Sequence, residues 1–123
     1  MSDTPKQPVP TVMEQDVERI VRRDFPATEV YAILSMLAEY GRDTYHWEPL
    51  RVRIDILKIA NGDPSLIRGL VDNAKGEYRD AIFFAEYRRW GDHAFTSESE
   101  LTPEEEQKLI DADWKEFQDW FTR

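Results

Sequence analysis

Leu50-Arg51-Val52-Arg53-Ile54-Asp55-Ile56-Leu57-Lys58-Ile59-Ala60 is the stretch that decides how this chain folds. Wound as a helix turning about 100° per residue, it carries one narrow polar stripe of Arg51, Asp55 and Lys58. The rest is apolar except for one intruder, Arg53. A helix apolar nearly all round is a central helix, covered on several sides by others. Working outward, the expectation is an all-α fold, a single compact bundle of about six helices.

Glycine and proline divide the rest of the chain. Pro26, Pro49, Pro64 and Pro103 stand where helical patterns begin, and Gly41, Gly62, Gly76 and Gly91 where they end, as the two residue types suit the first turn and the left-handed exit. Only Gly69 falls inside a pattern. No stretch alternates with period two, so no strand is expected. Residues 1–11, with Pro5, Pro8 and Pro10, read as a flexible tail, and residues 12–123 as the helical domain.

The first helix is expected to open on a capping box of Thr11 and Glu14 and to end near Asp24. The second spans about Ala27 to Tyr40, with Val30, Ile33, Leu34 and Leu37 inward and Tyr31, Met36 and Ala38 widening that face. Asn61-Gly62-Asp63-Pro64 stops the third helix and starts a fourth, with Asp63 as cap and Leu66, Ile67, Leu70, Val71 and Ala74 on one face. The fifth runs from Tyr78 to Trp90 and is apolar on most sides. Gly91 to Leu101 reads as a polar loop. Thr102, Pro103 and Glu105 form the strongest helix start in the chain, and Ile110, Trp114, Phe117 and Phe121 make one apolar stripe behind it, flanked by Leu109 and Trp120.

At 123 residues with 41% hydrophobic and 12% aromatic content, the chain is globular rather than disordered. It has no cysteine, which removes disulfides and cysteine chemistry. The start of the sequence lacks a secretory pattern, and the longest nearly apolar run, Val30 to Ala38, is too short for a membrane span; a cytoplasmic protein is expected. The net charge of −9 divides into −4 over residues 1–49, +2 over 50–90, −1 over 91–97 and −6 over 98–123. Nucleic acid and anionic membranes would repel such a chain, so neither is expected as a partner.

Ile56-Leu57-Lys58-Ile59-Ala60-Asn61-Gly62-Asp63, followed by Tyr78-Arg79-Asp80 and Ala85-Glu86-Tyr87, resembles a segment of small uncharacterised bacterial proteins that share I-L-K-[LI]-A-x-G-D and a later Y-R-D…A-E-Y. The match covers about residues 50–88. This chain departs at Asp55, where an apolar residue is expected, at Glu77, where an aspartate is, and at Arg88, where a proline is. The resemblance implies a bacterial setting and a small helical fold, and carries no activity.

Motifs for chemistry are missing. His46 and His93 have no metal-ligand spacing, and there is no nucleophile elbow, phosphate loop or dinucleotide fingerprint. No catalytic residue, metal ligand or cofactor is assigned. His46, between Tyr45 and Trp47, reads as a packed or capping residue, and His93 as an exposed loop residue. Charges inside apolar helices are the better lead, since a desolvated charge needs a partner. Arg53 is expected to meet Glu86 or Asp80, as a buried ion pair or, with Arg79, as a polar pocket. Tyr45, Trp47, Tyr87, Trp90 and Phe95 exceed what the helix faces need. Tyr87, Arg88, Arg89, Trp90 and Trp120 form a candidate interface, because tryptophan, tyrosine and arginine anchor protein contacts. The leading expectation is a non-catalytic interaction protein, self-associating or inhibitory. Toxin-neutralising immunity proteins share its acidic, cysteine-free helical composition. The alternative is a small enzyme or anion-binding protein using Arg53, Arg79 and Glu86.

Overall fold

A computed structural model describes residues 8–96 and 101–123, the side chains of residues 94–96 excepted. Among these residues there are seven α-helices and no strand: α1 (Glu14–Asp24), α2 (Val30–Glu39), α3 (Pro49–Ala60), α4 (Ile67–Gly76), α5 (Tyr78–Glu86), α6 (Arg88–Thr96) and α7 (Pro103–Phe121). Single 3₁₀ turns, Ala27–Glu29 and Pro64–Leu66, lead into α2 and α4. The all-α fold is as expected. No helix among the described residues is long and apolar enough to cross a membrane. The chain divides into two units, Pro10–Ala85 and one that contains Glu86–Arg123.

In the first unit α3 carries more buried residues than α1, α2 or α4, although its helix neighbours are no more numerous than theirs. It packs on α1 and α4, while α2 packs on the same two. Val52, Ile54, Ile56, Leu57 and Ala60 are buried, and Ile20, Val21, Ile33, Leu37, Ile67 and Val71 are among the other buried core residues of the unit. Each fully buried aliphatic side chain contributes roughly 1.5–3 kcal/mol of transfer free energy, so this layer carries the unit's stability. The polar stripe does not face water as a whole: Asp55 is fully buried and Arg51 is half-buried. Its i, i+4 spacing was legible, but burial is set by what packs against the stripe.

Local boundaries follow backbone chemistry. Asn61 and Gly62 both take left-handed conformations after α3, and Asp63 then accepts hydrogen bonds from the Ser65 amide at 3.0 Å and hydroxyl at 2.7 Å. The α1 cap differs from expectation. The Asp16 carboxylate accepts from the Met13 amide at 2.9 Å, so the cap is Met13, two residues past Thr11. The inner face of α2 is narrower than expected: Tyr31 and Ala38 are exposed, because α1 and α4 cover one side only. On α4, Ile67, Val71 and Ala74 are buried, but Leu66, in the 3₁₀ turn before it, is exposed.

The second unit pairs α6 with α7. Thr102 caps α7 as expected, accepting from the Glu105 amide at 3.1 Å. Ile110, Phe117, Trp120 and Phe121 are buried, with Phe117 stacked on Phe121 at 5.9 Å. The expected single helix from Tyr78 to Trp90 is two, interrupted at Tyr87, and Gly91–Thr96 is helix rather than loop. Of the remainder of that expected loop, residues 97–100 lie outside the described residues and Leu101 is non-helical. The cause of the break is Asp113 of α7. Its buried carboxylate accepts from the Arg89 amide at 3.3 Å and the Trp90 amide at 3.1 Å, giving α6 an N-terminal cap from a distant helix.

Candidate functional site

The connector between α2 and α3 is the most organised irregular segment. It leaves α2 at Tyr40 and Gly41 (φ +119°) and enters α3 through Glu48 (φ +44°), two positive-φ conformations bracketing the six residues 42–47. A Cβ at Gly41 would stand 2.7 Å from Arg53 Nη2 and 2.9 Å from Pro49 Cβ, so only glycine fits there. Between these ends the chain wraps around His46, whose side chain is 2% exposed. His46 Nδ1 accepts from the Gly41 amide at 2.8 Å and, more weakly, from the Asp43 amide at 3.4 Å. An accepting Nδ1 places the proton of the neutral ring on Nε2, which is buried 3.6 Å from Asp43 Oδ2 without a hydrogen bond to any described residue. The ring stacks on Tyr40 at 4.7 Å with planes 11° apart. The Tyr40 hydroxyl donates to the Trp47 carbonyl at 2.7 Å, and burial raises its pKa. His46 is therefore a capping residue, as expected, and it pins both sides of the loop.

That pinning fixes the exposed rings. Tyr45 is 71% and Trp47 60% exposed, too far out for rings that merely seal a core. Tyr45 sits edge-on to His46 at 4.7 Å, and Trp47 lies nearly parallel to Tyr78 of α5 at 6.5 Å. Two large amphipathic side chains are held outward on a loop whose polar groups are tied from beneath.

Arg53 enters the same connector from α3. Its Nε donates to the carbonyls of Leu37 at 3.0 Å and Tyr40 at 2.9 Å, capping the C-terminal end of α2. The expected partner was a carboxylate. Among the described residues the hydrogen bonds of Arg53 go instead to backbone oxygens, because the last carbonyls of α2 lack intrahelical donors and carry partial negative charge. Desolvation lowers the Arg53 pKa, against the pull of Glu14. Arg53 also lines a cleft of about 500 Å³ that opens between α1 and α2. Val17, Leu34, Leu37 and Ala38 form its apolar walls, and Glu14 and Glu18 are exposed at its side.

The other candidate charges are placed elsewhere. Arg79 has a side chain 73% exposed and bonds to Glu77 at 2.7 Å and 2.8 Å, which raises its pKa and lowers that of Glu77. Asp80 is exposed and accepts from Asn73 at 3.4 Å. Neither lines the cleft at Arg53. Glu86 is buried and belongs with the C-terminal unit.

The proposed Tyr87–Trp120 patch is altered in the same way. Trp120 is buried, and its ring packs on Phe117 at 5.7 Å. Arg89 bonds through Nη1 to Asp113 and Glu116, both at 3.0 Å, and these two carboxylates raise its pKa, Glu116 foremost. Tyr87 and Trp90 are half-buried and meet edge to face at 5.7 Å, while Arg88 is exposed. His93 lies half-buried on α6 rather than in an exposed loop, and the Phe95 side chain lies outside the described residues. Among the described residues no group of histidines and carboxylates is arranged to hold a metal ion.

No family model, curated protein or solved structure matches this chain.

Proposed function

We propose that this chain is a non-catalytic protein-interaction protein and that its contact surface is the connector, with Tyr45 and Trp47 as the anchoring rings and Tyr78 beside them. The observation that carries the reading is the exposure of Tyr45 and Trp47 on a loop held by a buried histidine. Rigid aromatic side chains lose little conformational freedom on binding, and a preorganised loop lowers the cost of association further. The surrounding charge favours a partner with a basic face. The chain carries −9, and residues 1–49, which include the connector, contribute −4 of it. The same charge supports a cytoplasmic protein that binds neither nucleic acid nor anionic membrane, and an inhibitory role against a basic partner fits this character.

The test is site-specific crosslinking. A photoreactive phenylalanine analogue at position 47 is compared with one at position 31, because Tyr31 is also exposed (82%) but stands alone on α2. The expected result in cells of the source organism is one discrete, saturable adduct from position 47 and none from position 31. Equal, diffuse labelling at both positions would count against the proposal. Sedimentation of the purified chain at two concentrations then decides whether that adduct is a second copy.

A further inference from the structure

Arg53 does less in capping α2 than its side chain allows. Of the five N–H donors of a guanidinium, only the one on Nε is used, shared between the Leu37 and Tyr40 carbonyls. Nη1 and Nη2 make no hydrogen bond to any described residue, and Arg53 is one of the residues that line the cleft between α1 and α2. Holding a guanidinium by Nε orients its planar fork, the geometry that matches a carboxylate. The missing Cβ at Gly41 leaves Nη2 its position.

The cleft also carries the opposite charge. The Glu14 carboxylate acts on Arg53 through space without hydrogen bonding to it. Glu18 is already engaged by Arg22 at 3.1 Å on the surface. Val17, Leu34 and Leu37 line the same cleft as the cation and the anion. A purely anionic ligand would meet the repulsion of Glu14 and Glu18 on its way to Arg53, and a purely cationic one would meet that of Arg53. A molecule with both charges and an apolar body satisfies all three parts of the lining. The volume, about 500 Å³, lies in the usual range for small-molecule sites.

We propose that the α1–α2 cleft binds a small zwitterion with an apolar body, of the size of an amino acid, its carboxylate on the Arg53 fork and its ammonium towards Glu14. Arg53 also touches the connector at Tyr40 and Gly41, but the cleft does not include Tyr45 or Trp47 and the proposal does not depend on the role given to those rings.

The test is an NMR titration of the full chain with L-leucine, with 4-methylpentanoate and 3-methylbutylamine as probes that keep only one charge each. Leucine should give saturable shifts at the Val17, Leu34 and Ala38 amides and at Arg53 Nε–H, and each single-charge probe should bind at least ten-fold more weakly. Glu14→Gln removes an exposed charge without touching the core, and should weaken leucine binding several-fold. Leu34→Trp should fill the cleft and abolish it. The proposal fails if leucine gives no saturable shift there, if 4-methylpentanoate binds as well, or if Glu14→Gln binds leucine unchanged.

Discussion

His46 Nδ1 is the acceptor on which the connector closes, and replacing it separates packing from hydrogen bonding. His46→Leu keeps a buried apolar group against Tyr40 but strands the Gly41 amide, which is bonded at 2.8 Å in the native chain. An unsatisfied buried donor costs about 1–3 kcal/mol, so the variant should lose about 2 kcal/mol in urea unfolding. His46→Asn offers an amide oxygen near the place of Nδ1 and should lose less than His46→Leu. Equal losses would show that shape alone matters there. Gly41→Ala is the companion at the next position. The added Cβ meets Arg53 Nη2 at 2.7 Å in a φ of +119°, and a cost of about 2–3 kcal/mol is expected from strain of this kind. The sequence made Arg53 conspicuous as a charge in an apolar arc, and it made His46 a capping candidate. It did not reveal what Arg53 binds, because the acceptors are main-chain oxygens at the end of another helix, and every residue type has those.

Helix ends show the same division between local and distant causes. Asp63-Pro64 and Thr102-Pro103 carry their caps within three residues, and both starts were legible. The start of α6 was not, because its cap is Asp113, more than twenty positions further on and inside a stripe that reads as apolar. Gly91 looked like a helix exit for want of that information. Asp113→Ala should therefore fray α6 selectively. Losing a side-chain cap costs about 0.5–2 kcal/mol, and amide exchange should quicken at Arg89 and Trp90 while α3 amides keep their rates. Asp113→Asn retains one acceptor and should fall between. Gly69 tests the opposite sign. It lies within α4, and a Cβ there meets no atom within 4 Å. Gly69→Ala should raise stability by about 0.5–1 kcal/mol, as alanine is the better helix former, read as a higher urea midpoint. A fall in midpoint would mean that some partner of α4 needs the bare backbone.

Across the whole molecule the excess of 25 acidic over 16 basic residues favours different states at different pH, and one carboxylate makes this measurable. Glu39 on α2 receives Arg68 of α4 in a two-pronged pair at 2.9 Å and 2.7 Å, and Lys75 at 3.0 Å. The hydrogen bonds from Arg68 and then Lys75 lower its pKa from 4.5 to about 2. A carboxylate with a depressed folded-state pKa binds fewer protons folded than unfolded, so it stabilises the fold above the unfolded value and loses this effect as pH falls. Acidification also reduces the net negative charge, which by itself relieves repulsion in the folded state and masks the loss. The difference between wild type and Glu39→Gln cancels that background, because both chains protonate their other carboxylates alike. Unfolding midpoints of the two should differ by a constant amount from pH 7 down to about 5, with wild type the more stable. The gap should then close between pH 4.5 and about 2, the interval set by the two pKa values. High salt should narrow the gap at pH 7, since the group is partly open to solvent. A gap independent of pH across that interval would mean that Glu39 joins α2 to α4 through packing rather than charge.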